Sequence, residues 1–149
     1  MAHVRTQIRE AFKTELAANL PATGYAVFSS RKFKRNHDRA KAIVDIHINN
    51  VNISQQTMGD DRTHIASLYI RVQRSDAEDA LDDALDNDEV LLTQIIEQRD
   101  WSSLLEEEPE LVQVNFAEDS DSASAIGAII LRYDVEYRID KTNPEIARN

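Results

Sequence analysis

Apolar residues recur along the chain at two spacings, one typical of helices and one typical of strands. Steps of three and four residues predict an amphipathic helix over about 3–18, which Pro21 and Gly24 end. The same helical spacing predicts a long central helix that reaches about Gln98. The segment Asp86-Asn87-Asp88 interrupts its composition but not its apolar phase, so we expect one continuous helix.

Alternation of apolar and polar residues predicts the strands. A short strand is expected over 25–28, and longer ones over 42–49, 64–74, 110–117 and 125–139. The second and third strands are predicted to pair as a hairpin, with a long connection of about fourteen residues that is typical of functional loops. In the second strand one face is apolar and the other polar, which predicts a strand with one solvated face.

Two local features flank the central helix. Ser75 and Glu78 match a capping box, in which each side chain bonds to the backbone N–H of the other residue. After the helix, Trp101, Leu104 and Leu105 predict a docking segment.

The order of helix, strands, helix and strands predicts the α+β class. We expect a single domain over 1–140, with a mostly antiparallel or mixed sheet of about four to five strands. The N-terminal helix and the long central helix are expected to pack on that sheet. Residues 141–149 are predicted to form a polar tail. A chain of 149 residues with 42% hydrophobic content fits one domain with a core.

Charge is strongly segregated along the chain, whose formal net charge is −10. Residues 1–41 carry nine Lys/Arg and three Asp/Glu, whereas residues 75–122 carry seventeen Asp/Glu and one Arg. Complementary charged surfaces steer encounter and fix register between partners. The pattern therefore favours a subunit that docks on copies of itself or on a charged partner.

The sequence offers few residues for catalysis or cofactor binding. There are no cysteines and only three glycines, which excludes thiolate metal sites and Gly-rich phosphate loops. His47 and His64 lie on strands predicted to pair and could meet, but a polar-face role is favoured over a metal site. Residues 119–130 lack the glycine and glutamate of a calcium loop. We therefore expect no catalytic residue, no cofactor and no metal. No signal peptide and no membrane span are predicted.

Two charged clusters are predicted to form a subunit or partner interface. The basic cluster has Phe33 interleaved, and three interpretations stay open for it: protein docking, a solvated loop or a nucleic-acid patch. The acidic cluster also fits the solvated face of the central helix. The predicted interface residues are Arg31, Lys32, Phe33, Lys34, Arg35, Arg39, Lys41, Asp79, Asp82, Asp83 and Asp86.

Four short phrases in the same order carry a resemblance to a known family. They are RTQIREAF at 5–12, VFSSR at 27–31, RVQRSDAEDALDD at 71–83 and LRYDVEYR at 131–138. The chain resembles, over about 4–140, the tail terminator (minor tail, tail-completion) proteins of long-tailed bacteriophages, the lambda tail terminator-like group.

The resemblance implies a structural virion protein and not an enzyme. It implies a homo-oligomer, a hexameric ring of α+β subunits that caps the tail tube and ends its polymerisation. Its partners would be the tail tube protein and the head-tail connector or stopper protein, with DNA passing through the lumen without specific recognition and no membrane contact. The location would be the tail-neck junction of the virion, after assembly in the host cytoplasm.

Three alternatives remain open: another neck or connector protein such as a head-completion or stopper protein, a small cytosolic carboxylate enzyme, and a nucleic-acid adaptor.

Overall fold

The structure is a computed structural model that describes residues 3–21, 24–29, 42–54, 61–76, 80–119 and 125–140. Within these ranges the chain forms two helices and five strands. In chain order they are α1 (Val4–Asn19), β1 (Tyr25–Phe28), β2 (Ala42–Ser54), β3 (Asp61–Asp76), α2 (Leu81–Gln98), β4 (Glu110–Asp119) and β5 (Ala125–Asp140). The predicted polar tail, 141–149, lies outside the described residues.

All five strands belong to one sheet in the order β1-β2-β3-β5-β4. Strand β1 runs parallel to β2, and every other pair is antiparallel. The α+β class, with a mixed and mostly antiparallel sheet and two helices packed on it, is confirmed. The predicted hairpin of β2 and β3 is also confirmed.

Both helices lie on one face of the sheet, where the core forms. Helix α1 buries Val4, Ile8, Phe12 and Leu16, the positions that its three- and four-residue spacing predicts. The facing strands contribute alternate residues, because side chains one residue apart point to opposite faces. The strand residues that are buried on this face are Val44, Ile46, Ala66, Leu68, Ile70, Val72, Ile129, Leu131, Tyr133, Val135, Tyr137 and Ile139.

The segment that follows α2, predicted as a docking segment, closes the core. Trp101 is 2% exposed and stacks on Phe12, with ring centroids 4.4 Å apart. Its indole N–H donates to the carbonyl of Ile96 at 2.9 Å. Leu105 is buried, and Leu104 packs against the core at its margin. Trp101 is therefore a core residue that ties the end of α2 to α1.

The hairpin strands are longer than predicted. β2 continues to Ser54 and β3 begins at Asp61, so the predicted fourteen-residue connection is wrong; only 55–60 separate the two strands, and they lie outside the described residues. The prediction that one face of β2 is solvated is also wrong at the beginning of the strand, where Ile43 and Asp45 are buried. β1 flanks β2 only over 42–45, so Asp45 lies between Phe28 of β1 and Arg71 of β3, and the side chains of these neighbours on the same face shield it from solvent.

The predicted capping box is described only in part, because Glu78 lies outside the described residues. Ser75 lies within β3 and is in register with Ile126 of β5, so strand pairing overrides the local signal. Helix α2 begins at Leu81, after Ala80, and no side chain caps it. It then runs without interruption to Gln98, which confirms the predicted continuity through 86–88.

Strand β4 contains an irregularity that changes which residues face the helices. The register shifts between Leu111 and Gln113, so Val112 is an extra residue and Leu111 is opposite the buried Tyr133.

No helix of the described residues is long and apolar enough to cross a membrane.

Candidate functional site

The predicted interface is described only in part. Asp82, Asp83 and Asp86 are exposed on the first turns of α2. The remaining predicted residues, Arg31, Lys32, Phe33, Lys34, Arg35, Arg39, Lys41 and Asp79, lie outside the described residues.

His47 and His64, which the sequence allowed to meet, lie on opposite faces of the sheet. His47 is opposite Tyr69, and their rings stack with centroids 5.4 Å apart. His64 is opposite Ile53 and Tyr137 and is 7% exposed, on the face that carries the helices. The antiparallel register places the two histidines apart, so they do not meet, and His64 lies on the buried face instead of the predicted polar face.

A buried polar cluster joins three elements at the end of the sheet where β3 finishes. Asp88 of α2 accepts three hydrogen bonds: Oδ1 from the Tyr25 hydroxyl at 2.5 Å and from Arg74 Nη2 at 2.7 Å, and Oδ2 from Arg74 Nε at 2.7 Å. Arg74 Nη2 also donates to the Tyr25 hydroxyl at 3.0 Å. The Asp88 side chain is 0% exposed and that of Arg74 is 11% exposed.

The cluster is arranged to hold a charge pair and not to transfer a proton. Burial, and then the hydrogen bond from its hydroxyl to Asp88, raise the pKa of Tyr25 to about 12. Tyr25 is therefore a phenol at neutral pH and donates to a carboxylate that is already engaged by a bidentate guanidinium. Asp88 is not among the residues predicted for a site, although one signal was present: with Leu81, Leu85 and Leu92 it lies on the apolar stripe of α2.

A second candidate lies at the beginning of α1, where an open groove of about 300 Å³ is lined by His3, Arg5, Thr6, Arg9 and Ile48. His3 precedes the helix, and its Nδ1 accepts a hydrogen bond from the backbone N–H of Arg5 at 3.1 Å. Arg9 Nη2 donates to the Thr6 hydroxyl at 3.1 Å, and Arg9 Nε is buried without an acceptor among the described residues. Its described lining presents cationic groups and no carboxylate.

Basic residues around the groove also act on its histidines. Burial and the charges of Arg5 and Arg9 lower the pKa of His3. Burial, followed by Arg5, His3 and Arg62, lowers the pKa of His64. Both ring nitrogens of His64 are buried and lack a hydrogen-bond partner among the described residues. Both histidines are therefore neutral near pH 7, and the positive charge of the groove comes from its arginines.

The third candidate is the outer strand β4, whose side chains are mostly solvent-exposed. Phe116 is 59% exposed although it is opposite the buried Ile129, because β4 extends beyond the area that the helices cover. Leu111 and Val112 are also exposed. In the described sheet β4 pairs with β5 along one edge, and its other edge has no strand neighbour. An apolar strand edge of this kind is a template for pairing with another chain.

Within the part of the chain that the structure describes, no group of three or more His, Asp or Glu residues is placed to hold a metal ion. Comparison of the sequence with protein-family models gives no match, and comparison with curated proteins gives none either.

Proposed function

We propose that the protein is a ring-forming structural subunit of a phage tail, a tail terminator that caps the tail tube and joins it to the head-tail connector. One observation carries the assembly part of this proposal: among the described residues, β4 is an outer strand with exposed apolar side chains, and no strand pairs with its second edge. A monomer that exposes such an edge risks uncontrolled pairing, whereas an assembly subunit covers it.

The phage part of the proposal rests on the four short phrases that resemble tail terminators. Two of these phrases contain residues with a defined place in the fold. The 5–12 phrase contributes Ile8 and Phe12 to the core, and the 131–138 phrase forms the alternating centre of β5. The architecture agrees with the α+β subunit that the resemblance implies, and that agreement supports the proposal without identifying the partner particle.

The direct test measures assembly and tube capping separately. Native mass measurement and electron microscopy of the purified protein are expected to give a closed ring, and a hexamer is the proposed size. Addition of the protein to a polymerising tail tube protein is expected to end growth and shorten the tubes. Rings that bind a connector but leave tube length unchanged would instead favour a head-completion or stopper protein.

Two variants show whether β4 belongs to the assembly surface. Phe116→Asp is expected to weaken ring formation, because it places a charge on the exposed apolar strand. Ile65→Asp is the matched control, since Ile65 is an exposed apolar residue of β3, 38% exposed. Equal assembly of both variants, or a protein that stays monomeric and does not affect tube length, would contradict the proposal.

A further inference from the structure

The groove at the beginning of α1 holds positive charge without a counterion. No ion pair is formed by Arg5 or Arg9 within the described residues, and their nearest polar partners are His3 and Thr6. Because Arg9 Nε is buried without an acceptor, part of this charge is already desolvated. A carboxylate that entered the groove would meet two guanidinium groups and a hydroxyl donor.

Uncompensated negative charge lies on the first turns of α2. Asp82, Asp83 and Asp86 are exposed, and none of them forms an ion pair within the described part of the chain. Asp88, two residues further, is the one whose charge Arg74 neutralises. The exposed carboxylates therefore form a surface that is free to meet a basic partner.

These two surfaces lie at opposite ends of the sheet. Leu81, at the beginning of α2, borders Gly127, which is in register with Arg74 of β3. Ile48, in the wall of the groove, is in register with Leu68 of the same strand. Six residues of strand separate Arg74 from Leu68, which is about 20 Å at the usual rise per residue. Over that distance, salt screens most of the attraction between exposed charges, so one subunit cannot neutralise itself.

We infer that the acidic first turns of α2 in one copy of the chain dock on the basic groove of α1 in the next copy. Opposite charges at opposite ends produce a heterologous, head-to-tail contact, and such contacts form rings when the rotation closes. This inference deepens the proposed function by naming the two surfaces that meet, and it rests on that proposal for the closed ring. The groove is the basic partner of α2 in this contact, and the predicted basic cluster at 31–41 lies outside the described residues.

The test is a charge swap. The groove variant is Arg5→Glu with Arg9→Glu, and the helix variant is Asp82→Lys with Asp83→Lys and Asp86→Lys. Each variant alone is expected to lose self-association by more than about tenfold, since like charges that face each other at an interface are strongly unfavourable. An equimolar mixture of the two is expected to assemble again, because each reversed surface then meets its complement. In an even-numbered ring the two variants would alternate.

Control variants keep the result specific. Lys13→Glu changes charge on α1 two turns beyond Arg5, and Glu107→Lys with Glu108→Lys changes exposed charge after α2. Both controls are expected to assemble like the wild type. The single changes Arg5→Glu and Asp86→Lys are milder and repeat the test if a multiple variant does not fold. Circular dichroism checks folding in every case.

The outcomes separate this inference from the proposed function. Three results would overturn the docking contact. They are groove and helix variants that assemble like the wild type, a mixture of the two variants that does not assemble, and a wild-type protein that is monomeric at low salt. Phosphate binding in the groove without any effect of reversal on self-association would also overturn it. Tube capping is measured independently: intact charge dependence with no effect on tube length would refute the proposed function and leave the contact standing.

Discussion

Removal of one partner from the buried pair of Asp88 and Arg74 should destabilise the protein far more than removal of both. Asp88→Leu leaves the Arg74 guanidinium, whose side chain is 11% exposed, without its carboxylate. Arg74→Met leaves the carboxylate of Asp88 fully buried and held by the Tyr25 hydroxyl. In both variants a desolvated charge loses the partner that stabilises it.

The expected magnitude follows from the burial and geometry of the pair. A buried ion pair that loses one member costs about 3–5 kcal/mol of unfolding free energy, whereas apolar replacement of both members is close to neutral. Two short bonds from one guanidinium and a side chain that is 0% exposed place Asp88 at the upper end of that range. For a domain of this size, such a loss lowers Tm by roughly 10 °C. Tyr25→Phe removes one donor only and should cost about 1.5 kcal/mol.

The assay is urea unfolding of the wild type, both single variants and the double variant Arg74→Met with Asp88→Leu. Trp101 is the single tryptophan and is buried in the core, so its fluorescence reports global unfolding. The coupling energy of the double-mutant cycle isolates the pair. Two results would refute the reasoning: single variants that lose less than about 1 kcal/mol of unfolding free energy, or a double variant whose loss equals the sum of the two single losses. Either result means that burial does not determine the energetics of this ion pair.

Three further predictions concern the core and its margins. Folding lowers the pKa of His64 below 6.5, so the native state binds a proton at this residue less readily than the unfolded chain does. The free energy of unfolding should therefore be highest above about pH 6.5 and fall as the pH decreases below that value. His64→Gln should reduce this pH dependence, which urea midpoints measured across the same range would show. Gly127→Val should cost about 1–3 kcal/mol, because a Cβ there would lie 3.0 Å from Leu81 Cδ2, and Gly127→Ala should cost less since the leucine end can shift. Arg99→Lys should lose about 1 kcal/mol of unfolding free energy in the same assay. Arg99 lies over the Trp101 ring at 4.5 Å and also donates to the Ala11 carbonyl, and a lysine cannot make both contacts. Full stability of the lysine variant would contradict that account.

Periodicity was sufficient to predict the elements but not their arrangement. The α1 stripe and the alternation of β5 are local patterns, and both elements form within one or two residues of the predicted bounds. The position of β5 between β3 and β4, and the parallel pairing of β1, depend on contacts between distant segments. No local pattern encodes such contacts, so the order of strands could not be predicted from the sequence.

The candidate sites show the same limit more sharply. Ser75 carries a good capping signal, yet the longer ladder of β3 and β5 takes it into a strand. Asp88 was grouped with a polar interruption because its partners, Tyr25 and Arg74, are distant in sequence. The groove at α1 joins residues of one helix turn to Ile48 of β2, and only folding brings them together. The exposed carboxylates of α2, by contrast, could be predicted, since a helical face is a local property.

The place of β5 in the sheet also determines when the molecule can be completed. It is the last strand of the described chain, yet it lies between β3 and β4. During synthesis β4 leaves the ribosome before β5, so its backbone groups cannot pair with β5 until residues 125–140 have been made. A chain that stopped short of those residues would lose the ladder on both sides of β5 together. Only a chain that includes residues 125–140 can therefore hold β4 in its place in the sheet.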